Sequence, residues 1–473
     1  MNSKPLTYDS LKTVIQYLDP NTRFLLSSRA PSIRTAERAA PLRIGSLLIE
    51  SHRIWVNNIG YECEVYHKGC KVKRSYRVSG LSRLNGKRTC NVDEFGTRDY
   101  IIKAGGMLPG NNGDFICSLF GSYDRQIIPT NEGRLQRLKE ILEIEKQRLN
   151  QIMNYRPNEN LMDRKDEYTS FYLFKIIGTD PPKLYTKKEL EILKNEEMVK
   201  KAIKYVKDRI RQMENEINLF QNKSKNIRPK FEIYLVKYQR DCKPRVIEPV
   251  KYTGDLHKAE ENLRDFMFSN RKHVIRVNLL KINQTCPVRM PHDLKMRVKN
   301  LNFKEKMSTA LELVKPIIDE SSFPLETLTI YVDHDDVQKS EYEFIRSSKL
   351  LFCHMGVYGN FRFILSLQNQ KVNFVTLSTQ FLRSDNFIVL IKSWVENNKP
   401  IGTCFTFSLS ELKDEIADQI LNKVKDIFVD ATAGNKFIQI PMASAVLKII
   451  YFRNASSHLF IRMAVVPDQQ TSE

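Results

Sequence analysis

The chain has 473 residues, of which 41% are hydrophobic and 27% are charged. This length suits about three domains of ~150 residues, and the composition excludes a largely disordered protein. The formal net charge of +20 raises nucleic acid as a candidate partner, because an excess of Lys and Arg neutralises phosphate. We find no charged leader, and no apolar run approaches the ~20 residues that a membrane-spanning helix needs. We therefore expect the protein to be located in the cytoplasm or nucleus.

The stretch from Leu6 to Arg34 predicts two short helices, separated at Asp19-Pro20. Their apolar positions are Leu11, Val14, Ile15 and Leu18 in the first helix and Phe24, Leu25 and Leu26 in the second. A unit of ~30 residues is too small to support a core of its own. These side chains therefore pack against the rest of the chain or bind a second protein.

Residues 41–130 predict a small β-rich region, because short alternating runs are separated by Gly and Asn-Gly turns. The region contains a candidate set of zinc ligands, namely Cys63, His67, Cys70 and Cys90. Their spacing is not a paired CxxC pattern, and an alternating strand directs neighbouring side chains to opposite faces. We therefore expect no metal site and no cofactor. The scattered cysteines fit a reducing compartment.

Residues 131–224 predict two charged helices, each with an apolar seam. The seams are Leu135, Leu138, Leu142, Leu149 and Ile152, interrupted by Glu145, and then Val199, Ile203, Val206, Ile210, Met213 and Ile217. A capping box of Thr186 and Glu189 is expected to start the second helix. The seams suit either a hairpin within the chain or a coiled coil between chains. We expect the hairpin, because residues 168–178 can return the chain as a short strand.

Residues 225–473 predict an irregular repeat of strands and helices. Five strand-like points recur at intervals of roughly 20 to 30 residues: Val298, Leu328, Leu351, Phe374 and Phe405. Amphipathic stretches lie between them, clearest where one helical face carries Phe387, Leu390, Ile391 and Trp394. Such units stack as a leucine-rich-repeat-like α/β solenoid, although the repeat Asn is absent. On one strand Thr327, Thr329 and Tyr331 alternate with apolar residues and are expected to face outwards.

These patterns predict an α+β multidomain chain with four segments. The segments are a helical region at 1–40, a β-rich region at 41–130, a charged helical pair with a short strand insertion at 131–224, and an irregular strand-helix repeat region at 225–473.

The opening resembles the F-box-like start of the nematode-expanded F-box C family, over the stretch LTYDSLKTVIQYLDPNTRFLLSSRAPSIRTAERAAPLRI. Later stretches are similar to that family and to F-box-associated segments: KAEENLRDFMFSNR, SSFPLETLTIYV and FIVLIKSWVENNKPIGTCFTFSL. The sequence departs from the general F-box pattern at Thr7, where a proline is common, and no tryptophan follows the second helix.

The resemblance implies a non-enzymatic substrate-recognition adaptor of a cullin-F-box type ubiquitin ligase. The N-terminal helices would bind the small adaptor subunit of that ligase, and the F-box-associated C-terminal region would bind a protein target. The adaptor-binding positions implied by the resemblance are Leu6, Leu11, Ile15, Leu18, Pro20, Leu25 and Leu26. Core packing within the chain is the alternative role for all seven.

Two other functions remain as alternatives. A nucleic-acid-binding protein would use the basic surface directly, with the N-terminal helices packed as core. Most Lys and Arg residues are interspersed with acids, however, and no RNP-type aromatic motif accompanies them. An enzyme is not expected, because no nucleophile elbow or HExxH helix occurs, and the acidic run from Asp333 to Asp336 suits a solvated turn.

Overall fold

A computed structural model of the chain contains two compact units, one of Met1–Ile59, Arg264–Gln284 and Val288–Glu473 and one of Gly60–Leu263 and Thr285–Pro287. The structure describes residues 7–50, 52–67, 80–81, 88–89, 91–96, 98–99, 131–157, 170–171, 173–175, 177, 183–240, 242–251, 254, 256–283, 288–304, 307–332, 339–355, 361–375, 379–409, 414–455 and 458–468. Leu6, Cys70, Cys90 and the run Asp333 to Asp336 lie outside these residues.

The helices, numbered in chain order, are α1 Tyr8–Tyr17, α2 Pro20–Arg29, α3 Arg34–Ala39, α4 Asn131–Asn154, α5 Lys187–Leu190, α6 Glu196–Ser224, α7 Leu256–Phe268, α8 Met307–Ile317, α9 Lys339–Arg346, α10 Phe361–Ser366, α11 Thr379–Arg383, α12 Asp385–Glu396 and α13 Asp414–Ile427. The strands are β1 Arg43–Glu50, β2 Arg53–Val56, β3 Ile59–His67, β4 Gly80–Leu81, β5 Arg88–Thr89, β6 Asn91–Val92, β7 Arg98–Asp99, β8 Phe231–Gln239, β9 Arg245–Lys251, β10 Ile275–Asn283, β11 Met296–Phe303, β12 Leu325–Val332, β13 Ser348–Met355, β14 Lys371–Phe374, β15 Cys404–Leu409, β16 Thr432–Gly434, β17 Phe437–Pro441, β18 Val446–Arg453 and β19 Leu459–Val466.

The first unit is a mixed α/β structure built on one large sheet. Its strands follow the order β16-β17-β18-β19-β15-β14-β13-β12-β11-β10-β1-β2. From β10 to β15 the strands run parallel and neighbour one another in chain order, with helices α8 to α12 in the connections. Such crossovers are right-handed, so consecutive connections place their helices on one face of the sheet. Antiparallel strands complete both ends.

Two strands of the predicted β-rich region belong to this large sheet. Strand β1 pairs in parallel with β10 over seven residues and in antiparallel with β2. The compact units therefore do not coincide with the four segments expected from the sequence. Composition and turn signals mark where strands begin and end, but they do not show which distant strand completes a pairing.

The expected register of the repeat is only partly right. Leu328 and Leu351 are direct neighbours, as expected. Leu328 pairs on its other side with Leu301 rather than Val298, and Leu351 pairs with Val372 rather than Phe374. Each strand buries several apolar residues, so the apolar pattern shows the buried face without selecting which residue meets which.

The helix-side face of this sheet is packed by aromatic rings. Trp394 of α12 meets Phe405 edge-on with ring centres 4.8 Å apart, and Phe387 meets Phe407 in the same way at 5.8 Å. The predicted apolar face of α12 is thus confirmed, because its four residues are all buried. Edge-to-face contacts of this kind add to the free energy of apolar burial.

Buried polar side chains satisfy backbone groups between successive parallel strands. Asn369 donates through Nδ2 to the carbonyl oxygens of Ile345 at 2.8 Å and Ser348 at 3.3 Å. In an earlier strand-helix repeat of the same sheet, the Ser322 hydroxyl accepts from the Val298 backbone N–H at 2.9 Å. The sequence shows no repeat Asn because different polar residues bond these backbone groups in different strand-helix repeats.

In the second unit the two long helices α4 and α6 pack against each other. The shared cluster consists of Leu138, Ile141, Leu142, Met213 and Ile217. The capping box of Thr186 and Glu189 starts the short helix α5, and α6 starts separately after Asn195, whose side chain accepts from Met198 N. In the same unit β3, β8 and β9 neighbour one another in that order.

The prediction of a strand between these helices is wrong. The described residues between 170 and 177 are helical, and Phe174 is buried with its ring centre 5.0 Å from that of Tyr185. Phe171 also stacks on Phe174, three residues further along the chain. A short apolar run suits either a buried strand or a buried helix, and here tertiary packing selects the helix.

The interruption of the α4 seam at Glu145 is the centre of a buried charge cluster. Glu145 Oε1 accepts from Arg148 Nη1 at 2.7 Å and from Arg209 Nη2 of α6 at 3.2 Å. Burial lowers the pKa of Arg209, but attraction to Glu145 together with the contributions of Tyr205 and Tyr185 outweighs it, and the pKa is raised. Arg148 also donates to the Lys183 carbonyl oxygen at 2.6 Å. One carboxylate thus holds two helices in register.

We expect Glu145→Gln to destabilise the protein by roughly 3–5 kcal/mol, because it leaves two buried guanidinium groups without their counter-charge. Urea unfolding followed by circular dichroism measures this. The matched control is Glu143→Gln on the same helix, whose side chain is 67% exposed in its ion pair with Lys146; a change below about 1 kcal/mol is expected there. Equal destabilisation by both substitutions would contradict a special role for Glu145.

Candidate protein-interaction surfaces

Local hydrogen bonds define the starts of the N-terminal helices. The Thr7 hydroxyl accepts from Ser10 N at the start of α1, and the Asp19 carboxylate accepts from Asn21 N and Thr22 N at the start of α2. Thr and Asp are preferred at this position because their side chains satisfy free helical N–H groups. Thr7, where the F-box pattern commonly has proline, therefore serves as a helix cap.

Helix α1 buries a narrow face. Ile15 is buried in a cluster with Ala36 and Ala40, and Leu11 packs partly against it. The small alanines allow α1 to lie close to the segment around α3. This cluster fixes α1 while covering only part of its surface.

Helix α2 is held by a buried network of charges. Arg23 donates through Nε to Glu37 Oε1 at 3.0 Å and through its Nη atoms to the carbonyl oxygens of Glu37, Ala40 and Pro41 at 2.7–3.0 Å. Arg271, which follows α7, donates to both Glu37 carboxylate oxygens at 3.0 and 3.2 Å. This bidentate geometry is the strong form of an arginine–carboxylate contact.

Burial dominates the electrostatics of this network. It lowers the pKa of both Arg23 and Arg271, and the neighbouring Glu37 carboxylate opposes that shift. Both guanidinium groups stay charged at neutral pH, because the ordinary pKa of arginine lies far above 7. Removing Glu37 would leave two buried charges uncompensated, so α2, α3 and the end of α7 depend on one carboxylate.

The same helices leave large apolar side chains on their outer surface. The exposed fractions are Tyr8 47%, Val14 47%, Tyr17 82%, Leu25 47% and Leu26 39%. The buried side of α2 consists of Pro20, Asn21, Arg23, Phe24 and Ser27. Leu25 and Leu26 therefore point away from the face that the network fixes. A rigid support beneath exposed aliphatic residues is typical of a protein-binding surface.

The seven residues implied by the resemblance separate into groups. Ile15 and Pro20 are buried within the chain, Leu11 and Leu18 are half-buried, and Leu25 and Leu26 are exposed. Leu6 lies outside the described residues. The buried members support the helices from within, whereas the exposed pair is available to a partner.

Sequence reasoning missed three exposed residues. Val14 is predicted on the apolar face of α1 but is exposed, and no sequence pattern singles out the exposed Tyr8 and Tyr17. Helical spacing identifies positions near one stripe, but it cannot show how wide a stripe the neighbouring segment covers. Val14 lies outside the covered stripe because the contact between α1 and the segment around α3 is narrow.

A second surface is the face of the large sheet opposite its buried apolar side. One register row crosses β2, β1, β10, β11, β12, β13, β14, β15 and β19: Trp55, Leu48, Lys281, Asn302, Thr329, Phe352, Asn373, Thr406 and Arg462. We call this surface the open face. The prediction that Thr327, Thr329 and Tyr331 face outwards is confirmed, since they alternate with buried residues of β12.

The open face carries hydrogen-bonding and aromatic groups. Thr327 Oγ1 donates to Asn300 Oδ1 at 2.7 Å, and Asn300 Nδ2 donates to the Asn278 carbonyl oxygen at 2.9 Å. Tyr331 and His354 stack with ring centres 4.3 Å apart. Burial lowers the pKa of His354, so its imidazole is neutral at pH 7. This face is suited to contacts of mixed polarity.

The expected absence of zinc concerns residues that are only partly described. Cys63 is buried in an apolar cluster with Val65, Ile233 and Leu256. Within the described part of the chain, no group of three or more His, Cys, Asp or Glu side chains could hold a metal ion. Among those same residues, no helix is both long enough and apolar enough to cross a membrane.

Comparison with known proteins identifies one family over part of the chain. Residues 255–411 match the family described as Domain of unknown function (DUF3557). The chain is similar to that family from α7 to β15, which spans the parallel strands β10 to β15. No curated protein and no solved structure matches the chain. The matched segment is less than half of the chain and does not include α1 to α3.

We expect Glu37→Gln to destabilise the protein by roughly 3–5 kcal/mol, since Arg23 and Arg271 would lose the charge between them. Thermal unfolding followed by circular dichroism measures this. Glu343→Gln on α9, where the side chain is exposed, is the control and is expected to change stability by less than about 0.5 kcal/mol. A Glu37 variant as stable as this control would show that the network does not hold α2.

Proposed function

We propose that the chain is a non-enzymatic adaptor that binds two proteins through two surfaces. Helices α1 and α2 bind a helical partner, and the open face of the sheet binds a protein target. The observation that carries this proposal is the exposed pair Leu25 and Leu26 on a helix whose other side is fixed by the buried Arg23–Glu37 contact. A fixed support limits the entropy that an apolar surface loses on binding.

The proposed partner of the helices is the small adaptor subunit of a cullin-based ubiquitin ligase. The resemblance of the N-terminal stretch to the F-box C family supports this choice. The structure contributes the division of that stretch into supporting residues and exposed residues. A location in the cytoplasm or nucleus is part of the same proposal.

The proposed target surface is a leucine-rich-repeat-like array. Parallel strands in chain order with helices in the connections support it, because solenoids of this kind present one long strand face to their partners. The open face carries amide, hydroxyl and aromatic side chains within register rows. Such a surface suits recognition of a protein segment by contacts of mixed polarity.

A nucleic-acid-binding protein is the second candidate function. The net charge of +20 and exposed basic residues on the open face, such as Lys371 and Arg462, favour it. On this alternative, binding would fall steeply with added salt because counterions are released from the nucleic acid. Leu25 and Leu26 would then contribute nothing to binding.

The proposal is tested with the double variant Leu25→Asp, Leu26→Asp in the full chain. We expect its affinity for the purified small adaptor subunit to fall at least ~30-fold, since truncating central apolar contacts costs ~2 kcal/mol or more. Biolayer interferometry measures the affinity. The melting temperature is expected to stay near that of the wild type, because both side chains are exposed.

The matched control is Thr22→Asp, Ser28→Asp, which adds the same charge at exposed polar positions of α2. We expect this variant to keep most of its affinity. Equal loss in both variants would point to charge alone, and a wild-type chain that does not bind the subunit would reject the ligase-adaptor assignment.

A further inference from the structure

Three arginines lie side by side on neighbouring strands of the first unit. Arg43 of β1 pairs with Arg276 of β10, which pairs with Arg297 of β11. All three are exposed, and each lies between two buried residues that point into the core. The alternation then shifts by one position, because two consecutive residues of each strand are not buried (Gly45 and Ser46, Asn278 and Leu279, Lys299 and Asn300). The three arginines therefore project from the open face. Because neighbouring strands are ~4.8 Å apart, the three side chains begin along a line of about 10 Å. We call this row the arginine ladder.

The ladder has no counter-charge of its own within the described part of the chain. None of the three guanidinium groups has an ion pair or side-chain hydrogen bond there. Asp319 lies near enough for Arg297 to help lower its pKa, but hydrogen bonds from Ser321 are the larger cause. Among the described residues, no carboxylate therefore forms an ion pair with the ladder, and Asp319 offsets the charge of Arg297 only from beyond ion-pair distance.

An uncompensated row of this kind opposes folding. Like charges directly opposite each other on neighbouring strands destabilise a sheet. The next two strands show the ordinary arrangement, because Glu326 of β12 and Lys349 of β13 form an ion pair at 2.7 Å. The ladder differs in that three strands present the same charge at the same register position. An anion bound across the strands would remove this repulsion.

We propose that the arginine ladder binds an acidic peptide segment of the protein target. An arginine fork matches a carboxylate with two parallel hydrogen bonds. Alternate side chains of an extended peptide are ~6.8 Å apart on one side, so two or three Asp or Glu residues span the ladder. The inference deepens the proposed function, and it rests on that function for the role of the open face as target surface.

The surroundings of the ladder favour a peptide over a nucleic acid. Three positions further along the strands, a register row on the same face consists of Ser46, Leu279, Asn300, Thr327 and Leu350. These hydroxyl, amide and aliphatic groups suit the side chains and backbone of a peptide. Single-stranded nucleic acids instead require rings on which bases stack. Trp55 lies 5.6 Å from the Arg53 guanidinium, measured to its ring centre, Tyr331 stacks on His354, and Phe352 on the same face is half-buried.

The full chain is tested by fluorescence anisotropy with three labelled probes: a peptide of alternating Glu and Ser, the same peptide with Gln for Glu, and an oligo-dT strand of similar charge. We expect the Glu peptide to bind and the Gln peptide not to bind. The variant Arg43→Gln, Arg276→Gln, Arg297→Gln is expected to lose at least about tenfold in affinity for the Glu peptide.

The matched control removes the same charge from the helices, through Lys315→Gln, Arg346→Gln and Lys392→Gln, all at exposed positions. It is expected to keep its affinity within about twofold. Equal loss in both variants would mean that net charge alone attracts the peptide and would overturn the proposal. Ladder-dependent binding of oligo-dT that is tighter than peptide binding would also overturn it, as would a wild-type chain that binds no probe.

A second measurement uses the ligand-free chain. Arg276→Gln removes the central charge of the ladder, so we expect a higher melting temperature at low ionic strength and a gain that disappears in high salt. An unchanged or lower melting temperature at low salt would contradict the repulsion. Adaptor-subunit binding by the triple ladder variant is expected to match the wild type. Failure of the adaptor assignment and failure of the ladder are therefore separate results.

Discussion

The parallel pairing of β1 with β10 determines where both proposed surfaces lie. Ile44 neighbours Val277 and Leu47 neighbours Leu280, and all four are buried. The pairing brings the strand that follows α3 into the sheet of the strand-helix repeat. Without it, Arg43 would not stand beside Arg276. Parallel pairing needs a long connection between its strands, and here the second unit provides it.

Buried charge is used in the same way in each unit. Glu37 accepts from Arg23 and Arg271, and Glu145 accepts from Arg148 and Arg209. In both cases one carboxylate joins two guanidinium groups from separate parts of the chain. Desolvation makes such clusters costly unless every member is in place. These clusters therefore select one packing arrangement, because an alternative packing that separates the members would leave a charge buried alone.

The two surfaces differ in how they would recognise a partner. Leu25 and Leu26 present apolar area on a supported helix. The affinity of a partner for such a surface comes from removing apolar area from water. The arginine ladder presents charge on a flat sheet, where complementarity sets the association rate and the choice of partner. An adaptor needs a stable contact with its machinery and a selective contact with its target. The apolar helix suits the first requirement and the charged row suits the second.

The sequence by itself determined the local elements, because helical and strand periodicities depend on neighbouring residues alone. It predicted the apolar face of α12 and the outward alternation at Thr327. It did not predict that Leu25 and Val14 are exposed. Tertiary structure decided which apolar residues of α1 and α2 stay uncovered, that the described residues between 170 and 177 are helical, and that Arg43, Arg276 and Arg297 form one row. Those outcomes depend on pairing between distant segments, and a local pattern carries no information about which distant segment supplies the partner.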